Sequence, residues 1–159
     1  MPANSGIIKG GDIMLYVNTG TVAVPVWTKA AHATEHTISH KAELRERVTK
    51  QTGKFKSRVS GKLDTTISVS SLAGYDTYNY FELLALMHAG APVLLKYSGR
   101  PAADVTAGEA ETAEATGDKY FQGSFCIESL ERNDPATADS TMSATFQQAA
   151  APEIKTVSS

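Results

Sequence analysis

His32, His36 and His40 recur at every fourth position, a spacing that on a helix would stack three imidazoles on one face as a metal-ligand set. Their neighbours argue for a strand instead, because Thr34, Thr37 and Ile38 are β-branched. A strand advances about 3.3 Å per residue, which sets His32 and His40 about 26 Å apart, beyond the reach of one ion. Solvated or interface histidines are therefore expected, and no metal. Gly10-Gly11 and Gly61-Lys62 lack the glycine spacing and the Lys-Ser/Thr pair of a phosphate loop. No Gly-x-Ser-x-Gly elbow is present. The acidic residues that could be drawn as pairs sit in one loop-like stretch, which does not preorganise a general acid and base. The residues point to no enzyme: no catalytic group and no cofactor.

Charge carries more information. From Lys41 to Lys62, eight cations stand against Glu43 and Glu46, a local charge of +6. From Pro101 to Asp118, five carboxylates (Asp104, Glu109, Glu111, Glu114, Asp118) meet no cation, a local charge of −5. Lys54, Lys56, Arg58 and Lys62 fall at even spacing, so on a strand they share one face, and with Phe55 beside them they could touch a nucleic-acid backbone. The acidic stretch in the same chain favours another use, a head-to-tail contact between copies that closes into rings. The expected contact sets Lys50, Lys54 and Lys56 of one copy against Asp104, Glu109, Glu111 or Glu114 of the next.

The elements that must carry these charges have a period of two. Ile13, Leu15 and Val17 alternate with Met14 and Tyr16, Gly20 marks a turn, and Val22, Val24 and Val26 repeat the pattern with Pro25 hinting at an edge. Leu63, Ile67 and Val69 point inward from a strand whose other face is Asp64, Thr66, Ser68 and Ser70. Val93-Leu94-Leu95-Lys96-Tyr97, after Pro92, is more continuously apolar, as a central strand would be. Lys119 to Glu131 and Asp139 to Gln148 make a closing hairpin about the turn Asn133-Asp134-Pro135. One helix is expected over about 78–89, with Tyr80, Leu83, Leu84 and Met87 as its apolar stripe, Asp76 or Thr77 as its cap, and Gly90 and Pro92 as its stop.

The fold class expected is mainly β, a β-sandwich or barrel with a single packed helix and long charged loops. A chain of 159 residues fits one domain, here 10–149, between a flexible N-terminus (1–9) and a mobile tail (150–159). The net charge of −2 gives no general pull toward nucleic acid or membrane. The single cysteine, Cys126, lies between Phe125 and Ile127 and is expected to be a buried, inert thiol. No stretch is long and apolar enough to span a bilayer as a helix, and the first residues lack a secretory pattern, so synthesis in the cytoplasm is expected.

The serial order of these elements resembles the major tail (tail tube) proteins of tailed phages, kin to the tube proteins of type VI secretion systems. The resemblance is carried by Gly10-Gly11-Asp12-Ile13-Met14-Leu15-Tyr16-Val17, by the Ala33 to Ser39 strand, and by the charged loop around Val48 to Phe55. There many members place Trp where this chain has Phe55. It continues through Gly61-Lys62, Ile67 to Leu72, Phe81-Glu82-Leu83-Leu84, Pro92 to Tyr97, Gly123-Ser124-Phe125 and Ser143 to Phe146, from about Gly10 to Ala149.

The resemblance implies a structural subunit, made in a bacterial host and placed in the virion tail, that assembles into six-membered rings stacked as a hollow tube for genome ejection. Implied partners are further copies of itself, a tape-measure protein, a tail terminator and baseplate or initiator proteins, with DNA passing through the lumen without specific binding. An acidic loop lining that lumen is the rival placement for residues 101–118. The alternative from another class is a monomeric β-sandwich module binding carbohydrate or protein, which a single tryptophan, Trp27, does little to support.

Overall fold

The computed structural model describes residues 4–21, 23–29, 33–51, 53–75 and 80–158. Readings that rest on Val22, His32, Asp76, Thr77, Tyr78 or Asn79 lie outside the described residues. Among the described residues eight strands form one antiparallel sheet: β1 (Ile13–Asn18), β2 (Trp27–Lys29), β3 (Ala33–Arg47), β4 (Ser57–Leu72), β5 (Val93–Gly99), β6 (Lys119–Asn133), β7 (Thr141–Gln148) and β8 (Glu153–Thr156). Their order is β2-β1-β5-β6-β7-β4-β3, and β8 pairs with the first residues of β6. Two helices, α1 (Tyr80–Ala89) and α2 (Ala102–Thr106), accompany the sheet, so the single helix expected has a short companion inside the acidic stretch.

In a flat sheet β3 would lie about 19 Å from β5, four strands away at about 4.8 Å each. Yet His36 on β3 meets the Tyr97 ring of β5 edge-on at 6.3 Å, and His40 meets Phe121 of β6 at 5.3 Å. The sheet therefore curls over itself. Leu15, Val17, Ile67, Val69, Leu95, Phe125 and Phe146 fill the inside of the curl, and Leu83 of α1 closes it. The sandwich-like packing expected from the sequence is made by one folded sheet.

Alternation places most side chains as the sequence implies. Met142, Ala144 and Phe146 face the core across from Ile67 and Val69, while Thr66, Ser68 and Ser70 pair with Gln147, Thr145 and Ser143 on the outer face. That face continues through Thr37 and Ser39 of β3 and is almost free of large apolar groups.

Several expectations need correction. Cys126 is exposed, not buried, because it sits one residue from Phe125 and period two turns it outward, opposite Gln147. Leu63 is 67% exposed, since β4 runs past the edge of the core before it reaches that residue. Val24 and Val26 are exposed and form no strand; the Asn18 carboxamide accepts the N–H groups of Gly20 (2.9 Å) and Val26 (3.0 Å), so the chain turns there and the strand begins at Trp27. On α1 the core-facing residues are Tyr80, Leu83 and Leu86, with Met87 exposed. The helix ends at Gly90, whose φ of +68° suits only a residue without Cβ. Near the C-terminus Glu153–Thr156 form β8, with Ile154 beside Phe121. Near the N-terminus Asn4 bonds to Asp118 and Ala113, and Lys9 pairs with Glu111.

Candidate subunit interface

The basic stretch is an arm. β4 pairs with β7 only from Thr66 to Leu72, whereas β3 and β4 stay paired with each other out to Arg47 and Ser57. Nine residues of β4, from Ser57 to Thr65, thus extend past the β7 ladder, about 30 Å of hairpin. Its tip reverses through Gly53 at φ +59°, and Leu44, Val48, Phe55 and Leu63 are all exposed on it. Lys50 and Lys54 are exposed at the tip, and Lys56 pairs with Glu46 of the same arm at 3.3 Å. A register shift between Ala42 and Leu44 sets two residues of β4, Gly61 and Lys62, against one of β3. That bulge breaks the even spacing by which Arg58 and Lys62 were expected to share a face.

The acidic stretch is folded onto the body by cations the sequence reading did not connect to it. Lys29 donates to Asp104 (2.6 Å) and to Glu109 (2.8 Å), and both bonds, Asp104's first, raise its pKa. Arg100 lies 3.8 Å from Asp104 and donates to the Glu109 carbonyl at 2.9 Å. Glu111 takes Lys9, and Glu114 lies against Gly99, where an added Cβ would come within 3.1 Å of its own. Asp12 accepts the N–H groups of Glu111 (2.8 Å) and Thr112 (3.1 Å), which hold its carboxyl below the usual range. Asp118 is held low in the same way by the Ala115 N–H and by Asn4. Under this clamp the Tyr16 hydroxyl is buried without a partner and burial pushes its pKa up to about 12. Burial, aided by Arg100, depresses the pKa of His36.

Of the expected interface residues, then, the structure pairs Asp104, Glu109 and Glu111 with cations of their own chain, sets Glu114 against Gly99, and leaves Lys50 and Lys54 of the arm tip facing solvent. Lys29 and Arg100 escaped sequence reading because Lys29 and Asp104 are 75 residues apart and no local period links them. A second surface was also missed. At the opposite end of β4, Leu72, Tyr75, Tyr80, Phe81, Arg132 and Asp139 line an open groove of about 770 Å³. The Arg132 guanidinium lies over the rings of Tyr80 (5.7 Å) and Phe81 (5.6 Å) and bonds Asp134 at 2.9 Å. Among the described residues no group of three metal-ligating side chains converges, and His36 and His40 face aromatic rings.

A curled β domain with long exposed strands and a projecting arm offers several surfaces to other chains. The model of the family described as phage tail tube protein matches residues 7–153, and the chain belongs to that family. It is a structural protein of the tail of a phage or phage-like particle, and its work is to build the tube. No curated protein matches the sequence. The fold is similar to the tail of an empty GTA particle computed with helical refinement and C6 symmetry, with a TM-score of 0.72 and 13% identity over 94% of this chain and 99% of that one. The SPP1 tail tube gives 0.67 and 14% over 96% and 81%, and the cap that terminates the anti-feeding prophage tube gives 0.64 and 12% over 99% and 96%.

Proposed function

We propose that six copies of this chain close into a ring, and that rings stack into a hollow conduit for the genome. The observation that carries the ring is a pair of strand edges. β5 covers β6 only at Phe121 to Phe125, and among the described residues nothing pairs with the outer edge of β3 or with that side of β6 from Ile127 to Asn133. Unpaired edges invite a further strand. The local order β6-β7-β4-β3 is antiparallel throughout, so β3 and a neighbour's β6 also meet antiparallel, and the alternation closes without a fault around any ring. Such a contact joins two different edges, which is the condition for a closed cyclic assembly. Sixfold symmetry is the symmetry of the GTA tail, which shares the fold. Four strands from each of six copies, at about 4.8 Å each, give a wall about 37 Å across, wide enough for duplex DNA once side chains are added.

The outer face of those four strands, with Thr66, Ser68, Thr145 and Gln147 at its centre, is turned to the lumen, where hydroxyls and amides let a polyanion pass without ionic trapping. Lys50, Lys54 and Lys56 supply the cationic side of a contact between copies. Of the acids expected opposite them, Asp104 is buried, and Glu109 and Glu111 already bind Lys29 and Lys9 of their own chain. A tape-measure protein inside the tube, and terminator and baseplate or initiator proteins at its ends, complete the assembly; the cap of the anti-feeding prophage tube, with the same fold, supports the terminal partner. Negative-stain microscopy of the concentrated protein should show sixfold rings or tubes with a central hole. Rings of another order would overturn the symmetry, and in sixfold tubes a Cys126 thiol open to reagents too large for the lumen would overturn the facing.

A further inference from the structure

The arm and the aromatic groove lie at opposite ends of one strand. From Phe55 at the tip to Leu72 at the groove, β4 and its approach span about 55 Å. A knob at one end of a molecule and a matching recess at the other is the arrangement that links copies along an axis without closure. The two ends match in chemistry. The tip offers Phe55, 85% exposed, with Val48 and Leu44 exposed behind it. The recess offers Phe81, 64% exposed, Tyr75 and Leu72, with the Arg132 guanidinium holding the floor in place. The arm carries +6, and the turn 131–140 that rims the recess carries Glu131, Asp134 and Asp139 against Arg132, a charge of −2. By contrast, Lys29 and Arg100 of the same chain already neutralise Asp104 and Glu109 in the acidic stretch.

We propose that the arm of one copy seats Phe55 in the groove between α1 and the β6–β7 turn of a copy in the adjoining ring, with Lys54 and Lys56 on its acidic rim. An aromatic anchor in a pocket ringed by polar groups is the usual centre of a protein contact. This inference rests on the tube reading and adds the acceptor to it: rings are held by strand edges, and the stack is held by knob and groove.

The test is a cross-link in the full-length chain with Cys126→Ser as background. Phe55→Cys and Tyr75→Cys are made in separate copies, mixed and allowed to polymerise before mild oxidation. Within one copy these positions are far too distant to bridge, so a mixed disulfide reports contact between copies. The expected result is a mixed dimer in the polymer fraction, and none when Glu109→Cys replaces Tyr75→Cys. Phe55→Ala and Phe81→Ala are each expected to lower the sedimenting polymer at least tenfold while single rings persist, and Phe55→Trp to retain it. Cross-linking to Glu109→Cys in place of Tyr75→Cys, or full-length tubes from Phe81→Ala, would overturn the acceptor and leave the tube standing. Absence of rings from the unmodified chain under every condition, with its tail initiator supplied, would overturn the tube reading and the acceptor with it.

Discussion

The β1–β5 half of the sheet and the β3–β4 arm are made of similar strands with opposite fates. Met14, Leu15, Tyr16 and Val17 are buried in succession, because the core covers one face of β1 and the clamped 100–118 segment, through Arg100 against Met14, covers the other. Every described residue of β3 and the connecting loop from Ser39 to Lys56 is exposed. Burial on two faces identifies strands that hold the monomer together. Exposure on two faces, over about 30 Å, marks strands that add little to the monomer and leave surface open to another chain.

That contrast can be broken most severely by removing the arm. Replacing residues 43–62 with Asn-Gly, which closes a two-residue hairpin, should abolish polymer while the melting temperature stays within a few degrees, read by sedimentation and calorimetry. A large loss of stability would show that the arm serves the monomer after all. Next comes the core: Phe125→Ala should cost about 3–5 kcal/mol in urea unfolding, where Leu63→Ser on the arm should stay within about 0.5 kcal/mol. Asp104→Ala removes the shared partner of Lys29 and Arg100 and should cost about 2 kcal/mol, well below the core because Lys29 is partly solvated.

Acid should separate the halves more gently. A histidine with a depressed folded pKa destabilises as pH falls below its ordinary value of 6.5, because the unfolded chain takes up the proton first. Asp12 and Asp118, held low when folded, contribute stability that is complete above 3.8 and lost as pH falls through their depressed values. His36→Phe should therefore flatten the melting-temperature profile just below pH 6.5 and leave the lower limb in place. The smallest effect expected is Tyr16→Phe, which removes a buried hydroxyl that has no partner and should be neutral within about 0.5 kcal/mol.

Most of the fold was legible because the closing hairpin, the central strand and the helix each write a local period, and the residues that fill the curl are the ones the period selects. Leu63 and Cys126 were misread for different reasons. The inward parity of Leu63 holds only where there is a core to face, and the sequence does not say where β4 leaves it. Cys126 was judged by its apolar neighbours when alternation alone decides its side. The interface was half legible. The cationic arm is a dense local signal, but the partners of the acids, Lys29 and Arg100, and the meeting of Leu72, Phe81 and Arg132 at one groove, are products of folding across long separations.

In a stack joined as proposed, knob and groove share the long axis of β4, so any pull along the tube is a pull along that strand. The ladder from Thr66 to Leu72 runs parallel to the force, and its hydrogen bonds bear the load together instead of opening one after another. A tube built this way passes tension through the same backbone bonds that fold its subunits, with six such ladders side by side in every ring.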